Sequence, residues 1–323
     1  MNTTPGVIDV AAEVQFAEER ARPHLLTTPV VPSVALSAEL GSSVVLKCAN
    51  LQHTGSFKAR GAVSKMLSLT PEELARGVVT ASTGNHGAAV SYAGGIVGVA
   101  PLVVVPEAAN PSKLAAIERL GGRIEVIGSD SVESELGARR LAEERGLTFV
   151  SPYNDPAIIG GQGTLGRELL EQVDDLAQVF VAVGGGGLAS GVAGAIKAEK
   201  PKVRVVGCSP ANSAVMYHSL QAGEILELPS EPTLSDGTAG GVEPGAITLE
   251  ILAELLDDFV TVEEEAIRTA FLDLVEVEHM LVEGSAAMAY AAARAHAETT
   301  EGTTVVILCG GNVGVEKLRG ILA

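Results

Sequence analysis

Aromatic residues are scarce in this 323-residue chain: they make up 3% of it, and tryptophan is absent. That removes the aromatic platforms on which nucleic-acid bases stack. Basic residues are outnumbered as well, with 22 lysines and arginines against 40 aspartates and glutamates, for a net charge of −18. Such a surface repels nucleic acid and anionic membranes, so neither is an expected partner. Cysteine is limited to Cys48, Cys208 and Cys309, odd in number and widely scattered, which excludes a disulfide framework and a cysteine metal cluster. No apolar run is long enough to span a bilayer. The opening Met1-Asn2-Thr3-Thr4 does not read as a secretory signal, so the cytoplasm is the expected location.

What the chain has in quantity is apolar surface, 46% by residue, enough for a large core; its length fits about two domains. Residues 9–22 carry a helical period, Val10, Val14 and Ala17 against Glu13, Glu18 and Glu19, closed by Pro23. Val44–Lys47 reads as a short strand. From Gly77 to Val150 strands at 78–81, 102–105, 124–127 and 148–150 alternate with helices at 86–97, 111–120 and 130–145. A second alternating block begins near Gly160. Its helices are expected at 163–173, 188–199, 246–256, 263–278 and 284–297, and its strands at 179–183, 203–207, 259–261 and 305–308. Residues 209–245 read as loop. Apolar strands between helices imply mostly parallel sheets covered on both faces, an α/β architecture in two lobes with a cleft between them.

Thr54-Gly55-Ser56-Phe57-Lys58-Ala59-Arg60-Gly61-Ala62 follows the Val44–Lys47 strand and leads into a helix that Ser56 is placed to cap. Lys58 then sits in the first turn, where the helix dipole disfavours a cation, and behind Phe57. Both effects lower its pKa toward the neutral amine that a nucleophile or base needs; the same spacing also suits a solvated lysine beside a turn. Gly184–Gly187, followed by Leu188, lies between a strand and a helix, where successive N–H groups make an anion site suited to phosphate. A tight structural turn is the alternative. A dinucleotide fingerprint is disfavoured, because the next strand ends Gly207-Cys208-Ser209 with no acid at its tip.

Ser82-Thr83-Gly84-Asn85-His86-Gly87 is a second strand-to-helix junction, suited to a smaller anion or simply to a helix cap from Ser82 or Thr83, with His86 as a packing residue. Cys309 ends a strand at the carboxyl edge where α/β folds bind ligands, although burial is the commonest fate of cysteine. Glu283 reads as an acid at a helix N-terminus.

Ser56–Ala62 is similar to the cofactor-lysine motif of the threonine and serine dehydratases, fold-type-II pyridoxal-phosphate enzymes to which serine racemase is close. Ser82–Gly87, Gly184–Leu188 and Cys309-Gly310-Gly311-Asn312 resemble later motifs of that family in the same order, so the likeness spans nearly the whole chain. The resemblance implies pyridoxal 5′-phosphate as cofactor and a two-lobed, tryptophan-synthase-β-like fold. Residues 1–76 and 150–323 would form a large cofactor-binding domain and residues 77–149 a small mobile one. Lys58 would carry the cofactor, with Phe57 beside it. Gly184, Gly185, Gly186, Gly187 and Leu188 would hold the phosphate, and Asn85 the 3′-oxygen. Ser82, Thr83, Asn85 and His86 would take the substrate carboxylate, and Asp236 would line the cleft. Glu283 would lie near the ring and Cys309 at its nitrogen, which a thiol cannot hold protonated. The weaker electron sink that results suits elimination of a β-substituent.

The implied activity is conversion of a small β-hydroxy amino acid, by default L-threonine or L-serine, to a 2-oxo acid and ammonia, in a homodimer. No metal is expected, because Ser209 and Val215 stand where some relatives have oxygen ligands for a divalent ion. Three other readings stand beside this one. The first is racemisation of serine or hydroxyaspartate, for which Thr83 occupies the place of the racemase serine. The second is dehydration of a hydroxyectoine-derived diamino acid, whose enzymes the glycine-rich Asp236–Gly245 loop resembles. The third is a nucleotide-binding sensor without catalysis.

Overall fold

The computed structural model describes residues 8–322, so Met1–Thr4 lies outside the described residues. In chain order its strands are β1 (Val30–Pro32), β2 (Val44–Lys47), β3 (Val78–Ala81), β4 (Leu102–Val105), β5 (Arg123–Val126), β6 (Thr148–Phe149), β7 (Leu176–Ala182), β8 (Arg204–Pro210), β9 (Asp258–Val262) and β10 (Thr303–Ile307). Six of them form one sheet in the order β1-β2-β10-β7-β8-β9, and four form another in the order β5-β4-β3-β6. Every neighbouring pair is parallel except β1 with β2. The α/β architecture expected from alternating apolar strands and helices is therefore present. All five residues of β10 are buried, as a parallel strand covered on both faces must be. The helix Gly284–His296 is buried from Gly284 to Ala293, which explains its small, alanine-rich composition.

Four helices were not expected from the sequence: Val34–Leu40, Pro71–Arg76, Val215–Ala222 and Val315–Leu322. None exceeds eight residues, too short for a periodic pattern to declare itself. The helix expected at 163–173 runs instead over Pro156–Gln172. Asp155 starts it, accepting from the N–H groups of Ala157 (2.8 Å) and Ile158 (3.2 Å), with Pro156 in the first turn. Gly160, near which the second alternating block is expected to begin, and Gly161 are interior to the helix, and other backbones press on them. A Cβ at Gly160 would lie 2.4 Å from the Glu13 carbonyl, and one at Gly161 would lie 2.6 Å from that of Arg60.

The expected cap at Ser56 is not made. The helix begins at Lys58 with Phe57 at its cap and no side-chain hydrogen bond there. The Ser56 backbone is drawn into a bridge with Gly310 instead, and its hydroxyl is buried without a partner.

The Lys58 helix is pinned from below by a buried ionic cluster. Arg60 donates from Nη1 to Glu168 Oε1 (2.8 Å) and from Nη2 to Glu168 Oε2 (2.9 Å). Lys47 Nζ donates to the same Oε2 at 2.5 Å, and the Thr28 N–H adds a bond of 3.2 Å. The side chains of all three ionic residues are fully buried. Burial pushes the Glu168 carboxyl up, but Arg60 and Lys47 more than offset it and hold it below the usual carboxylate range. Burial also brings Lys47 down to about 8, against the pull of Glu168.

Candidate active site

Three segments converge beyond the carboxyl ends of β7 and β10. The first carries the lysine. The Phe57 N–H donates to the Cys309 carbonyl (2.9 Å) and the Gly311 N–H to the Gly55 carbonyl (2.9 Å), so the segment before the helix is stitched to the turn after β10. Lys58, the first residue of the helix Lys58–Ser68, donates from Nζ to the Pro152 carbonyl at 2.7 Å, and the same nitrogen lies 5.2 Å from the Phe57 ring centroid. Burial lowers its pKa to about 8, opposed by the nearby Glu283 carboxylate. The amine is poised nearer to neutrality than a solvated lysine, as the sequence argument required.

The second segment is the glycine turn that joins β7 to the helix Gly187–Glu199. Gly186 caps that helix at φ +90°, a left-handed conformation that favours glycine. A Cβ at Gly185 would fall 2.4 Å from the Tyr153 ring, so no side chain fits there. Thr248 Oγ1 donates to the Gly185 carbonyl (2.7 Å), tying off one acceptor. The turn is a cradle of backbone at the N-terminus of a thirteen-residue helix, the arrangement that receives phosphate.

The third segment lies between β3 and the helix Asn85–Val97. Gly84 caps this helix, and no side chain does, although Ser82 Oγ accepts from the Gly84 N–H (3.2 Å). Ser82, Thr83 and Asn85 are half-buried. The first-turn N–H groups therefore have no capping side chain and can serve a carboxylate. His86 is buried, with Nε2 3.1 Å from the Val150 carbonyl; facing a carbonyl, that nitrogen donates. Burial, then the Lys58 charge, lowers its pKa to about 3, so the ring is neutral.

Glu283 joins the first and third segments. Its carboxylate accepts from Asn85 Nδ2 (2.8 and 3.0 Å) and from the Asn312 N–H (2.9 Å). Asn312 Nδ2 in turn donates to Asn85 Oδ1 (2.7 Å) and the Thr54 carbonyl (2.8 Å). Burial raises the Glu283 pKa, against these bonds. Cys309 is buried, and burial pushes its thiol well up, so it stays protonated. Asp236 stands apart from this network: its carboxylate pairs with Lys317 at 2.8 Å, and its side chain is 54% exposed. Leu188 is buried in the first turn of its helix.

Ser209 Oγ donates to the Val183 carbonyl (2.7 Å), and Val215 opens a helix. Among the described residues no group of three or more His, Cys, Asp or Glu side chains is placed to hold a metal.

Two residues of the site went unassigned in the sequence. Asn312 was visible as the last letter of Cys-Gly-Gly-Asn, but its partners are distant in the chain. Tyr153, the wall of the glycine turn, carries no sequence signal beyond following a strand.

A lysine of lowered pKa, a side-chain-free anion cradle and a neutral thiol, set at the carboxyl edge of a parallel sheet, define an α/β enzyme that carries a phosphorylated carbonyl cofactor. The donor set fits pyridoxal phosphate: an amine for its aldehyde and free backbone N–H groups for its phosphate. Residues 21–310 match the pyridoxal-phosphate dependent enzyme family, and the chain belongs to it. It lies in the threonine/serine dehydratase branch. It is 40% identical over 316 residues to an L-threonine ammonia-lyase of Geobacter sulfurreducens, covering 96% of this chain and 78% of that protein. The solved structure of maize serine racemase superposes with a TM-score of 0.90 at 34% identity, covering 97% of this chain and 96% of that one. The processed form of threonine deaminase isoform 2 from Solanum lycopersicum gives a TM-score of 0.92 at 31% identity, covering 99% and 95%. Among the described residues no helix is long and apolar enough to cross a membrane.

Proposed function

We infer that this enzyme converts L-threonine or L-serine to a 2-oxo acid and ammonia. The observation that carries the reading is the place of Lys58, a buried amine that donates to the Pro152 carbonyl (2.7 Å), one residue before the Tyr153 ring that walls the glycine cradle. Bound pyridoxal phosphate supplies an electron sink for negative charge at the substrate α-carbon. Lys58 Nζ would hold the cofactor and, as a free amine, would take the substrate α-proton. The N–H groups of Gly184–Gly187 and Leu188 would hold the phosphate. The Ser82–His86 loop orients the substrate carboxylate through backbone N–H groups, with His86 neutral and fixed on Val150. Glu283 and Asn312 hold the Asn85 amide in one orientation, from which it would bond the ring oxygen. The Cys309 thiol keeps its proton and would supply no acid to a ring nitrogen placed beside it, an environment that would favour loss of a β-hydroxyl.

Residues 77–149 would move as a small domain against the rest, and the enzyme would act as a cytoplasmic homodimer. The likeness to maize serine racemase favours racemisation as a second reading, in which Thr83 delivers a proton to the face opposite Lys58. The test is a panel of L-threonine, L-serine and longer hydroxylated amino acids, read for 2-oxo acid and ammonia together. Release of both from L-threonine or L-serine is expected. Loaded enzyme that releases neither from either substrate would overturn the dehydratase reading.

A further inference from the structure

Lys58 Nζ donates to the carbonyl of Pro152, and the next residue, Tyr153, walls the glycine turn. The Tyr153 hydroxyl accepts the Glu243 N–H at 2.8 Å. The Glu243 carboxylate pairs with Arg139, on the helix Ser131–Arg145 that packs on the four-stranded sheet. The Arg139 guanidinium also lies 4.3 Å from the Phe149 ring centroid in β6 and donates to Glu135 Oε1 (2.9 Å), which fixes its direction. Asn154 adds a second fastening to the same loop, accepting the Ile247 N–H at 2.9 Å. A continuous chain of contacts thus runs from the smaller sheet, through Arg139, Glu243 and Tyr153, to the cradle.

A turn of four glycines has no side chains with which to fix its own shape, and glycine loses more conformational freedom on ordering than any other residue. The directions of its N–H groups must therefore be set from outside. The Tyr153 ring is the surface that does so at Gly185, and the bond from Glu243 holds that ring in place. We propose that Tyr153, Glu243 and Arg139 are positioning residues for the phosphate cradle, coupling the seat of the smaller sheet to the affinity for the cofactor. The proposal rests on the reading of the glycine turn as the cofactor's phosphate site. A loosened wall leaves the turn to be ordered at the moment of binding, and the affinity falls by that cost.

The test is titration of the apoprotein with pyridoxal phosphate, and with inorganic phosphate as competitor, alongside its thermal midpoint. The chains compared are the unaltered protein, Arg139→Glu, Glu243→Arg, the double reversal, and Tyr153→Phe, which keeps the ring and removes the acceptor. Each single reversal is expected to weaken both ligands about five- to tenfold, with the apoprotein midpoint held within about 2 °C. The double reversal should recover at least half of that loss on a logarithmic scale, and Tyr153→Phe should weaken binding about threefold, the loss of one hydrogen bond. Single reversals that bind like the unaltered chain, a double reversal no better than either single, or losses that track the thermal midpoint would overturn the proposal alone. Failure of the unaltered chain to bind pyridoxal phosphate would overturn the cradle reading and the proposal with it.

Discussion

Replacing Glu168 with glutamine keeps its shape and removes its charge, at a position where two buried cations depend on that charge and the partly exposed Arg22 lies 3.6 Å away. Arg60 reaches both oxygens at 2.8 and 2.9 Å and Lys47 reaches one at 2.5 Å, all three side chains having no solvent exposure. Removing one member of a buried ion pair costs about 3–5 kcal/mol, because the remaining charge stays buried and unpaired. The amide nitrogen would also point a donor at donors. We take about 4 kcal/mol as the expected loss in Glu168→Gln. With an unfolding entropy of about 2.1 cal/mol/K per residue, that loss lowers the melting midpoint of the 323-residue chain by about 6 °C. Differential scanning calorimetry of the apoprotein measures it directly. Adding Lys47→Met removes one of the stranded cations, so the double variant should melt higher than Glu168→Gln alone. A single variant that melts within about 1 °C of the unaltered chain, or a double variant that melts lower still, would refute the claim that this carboxylate compensates buried charge.

Two further outcomes follow from the site. Capture of pyridoxal phosphate by the apoprotein needs the neutral amine of Lys58, whose pKa is lowered from 10.5 to about 8, so the neutral form gains as pH rises toward that value. The capture rate should rise about tenfold from pH 6 to pH 7 and level off above about pH 8.5; a rate still climbing tenfold per pH unit beyond about 9 would show an ordinary lysine. Thr83→Ala should abolish residual racemisation and keep at least about half of the dehydratase activity, because the proton abstraction assigned to Lys58 is untouched. Following L-serine in deuterium oxide by chiral chromatography with a pyruvate assay checks both, and D-serine forming faster than pyruvate in the unaltered enzyme would replace the dehydratase reading with the racemase one.

The strands and the three junction loops were legible because their signals are local: an apolar run, then glycine or a small polar residue, then a helix. Lys58 does open its helix, and the glycine turn does lie between β7 and the next helix. What the sequence hid is set by distant partners. Ser56 has the right chemistry for a cap, yet its backbone is taken up by pairing with Gly310. Gly160 and Gly161 carry no local sign of their role, which is the contact surface of a helix against the carbonyls of Glu13 and Arg60. The Asn85–Glu283–Asn312 network joins three motifs that no spacing rule connects. Asp236, read as lining the cleft, pairs with Lys317 on a C-terminal helix too short to be foreseen.

The central claim is that Lys58 is the residue that holds the cofactor. The direct measurement is borohydride reduction of the protein loaded with pyridoxal phosphate, followed by peptide mapping of the fixed pyridoxyl group. The account predicts one modified peptide, carrying the group on Lys58 and missing in Lys58→Ala; modification of Lys47 or Lys65 in its place would contradict it.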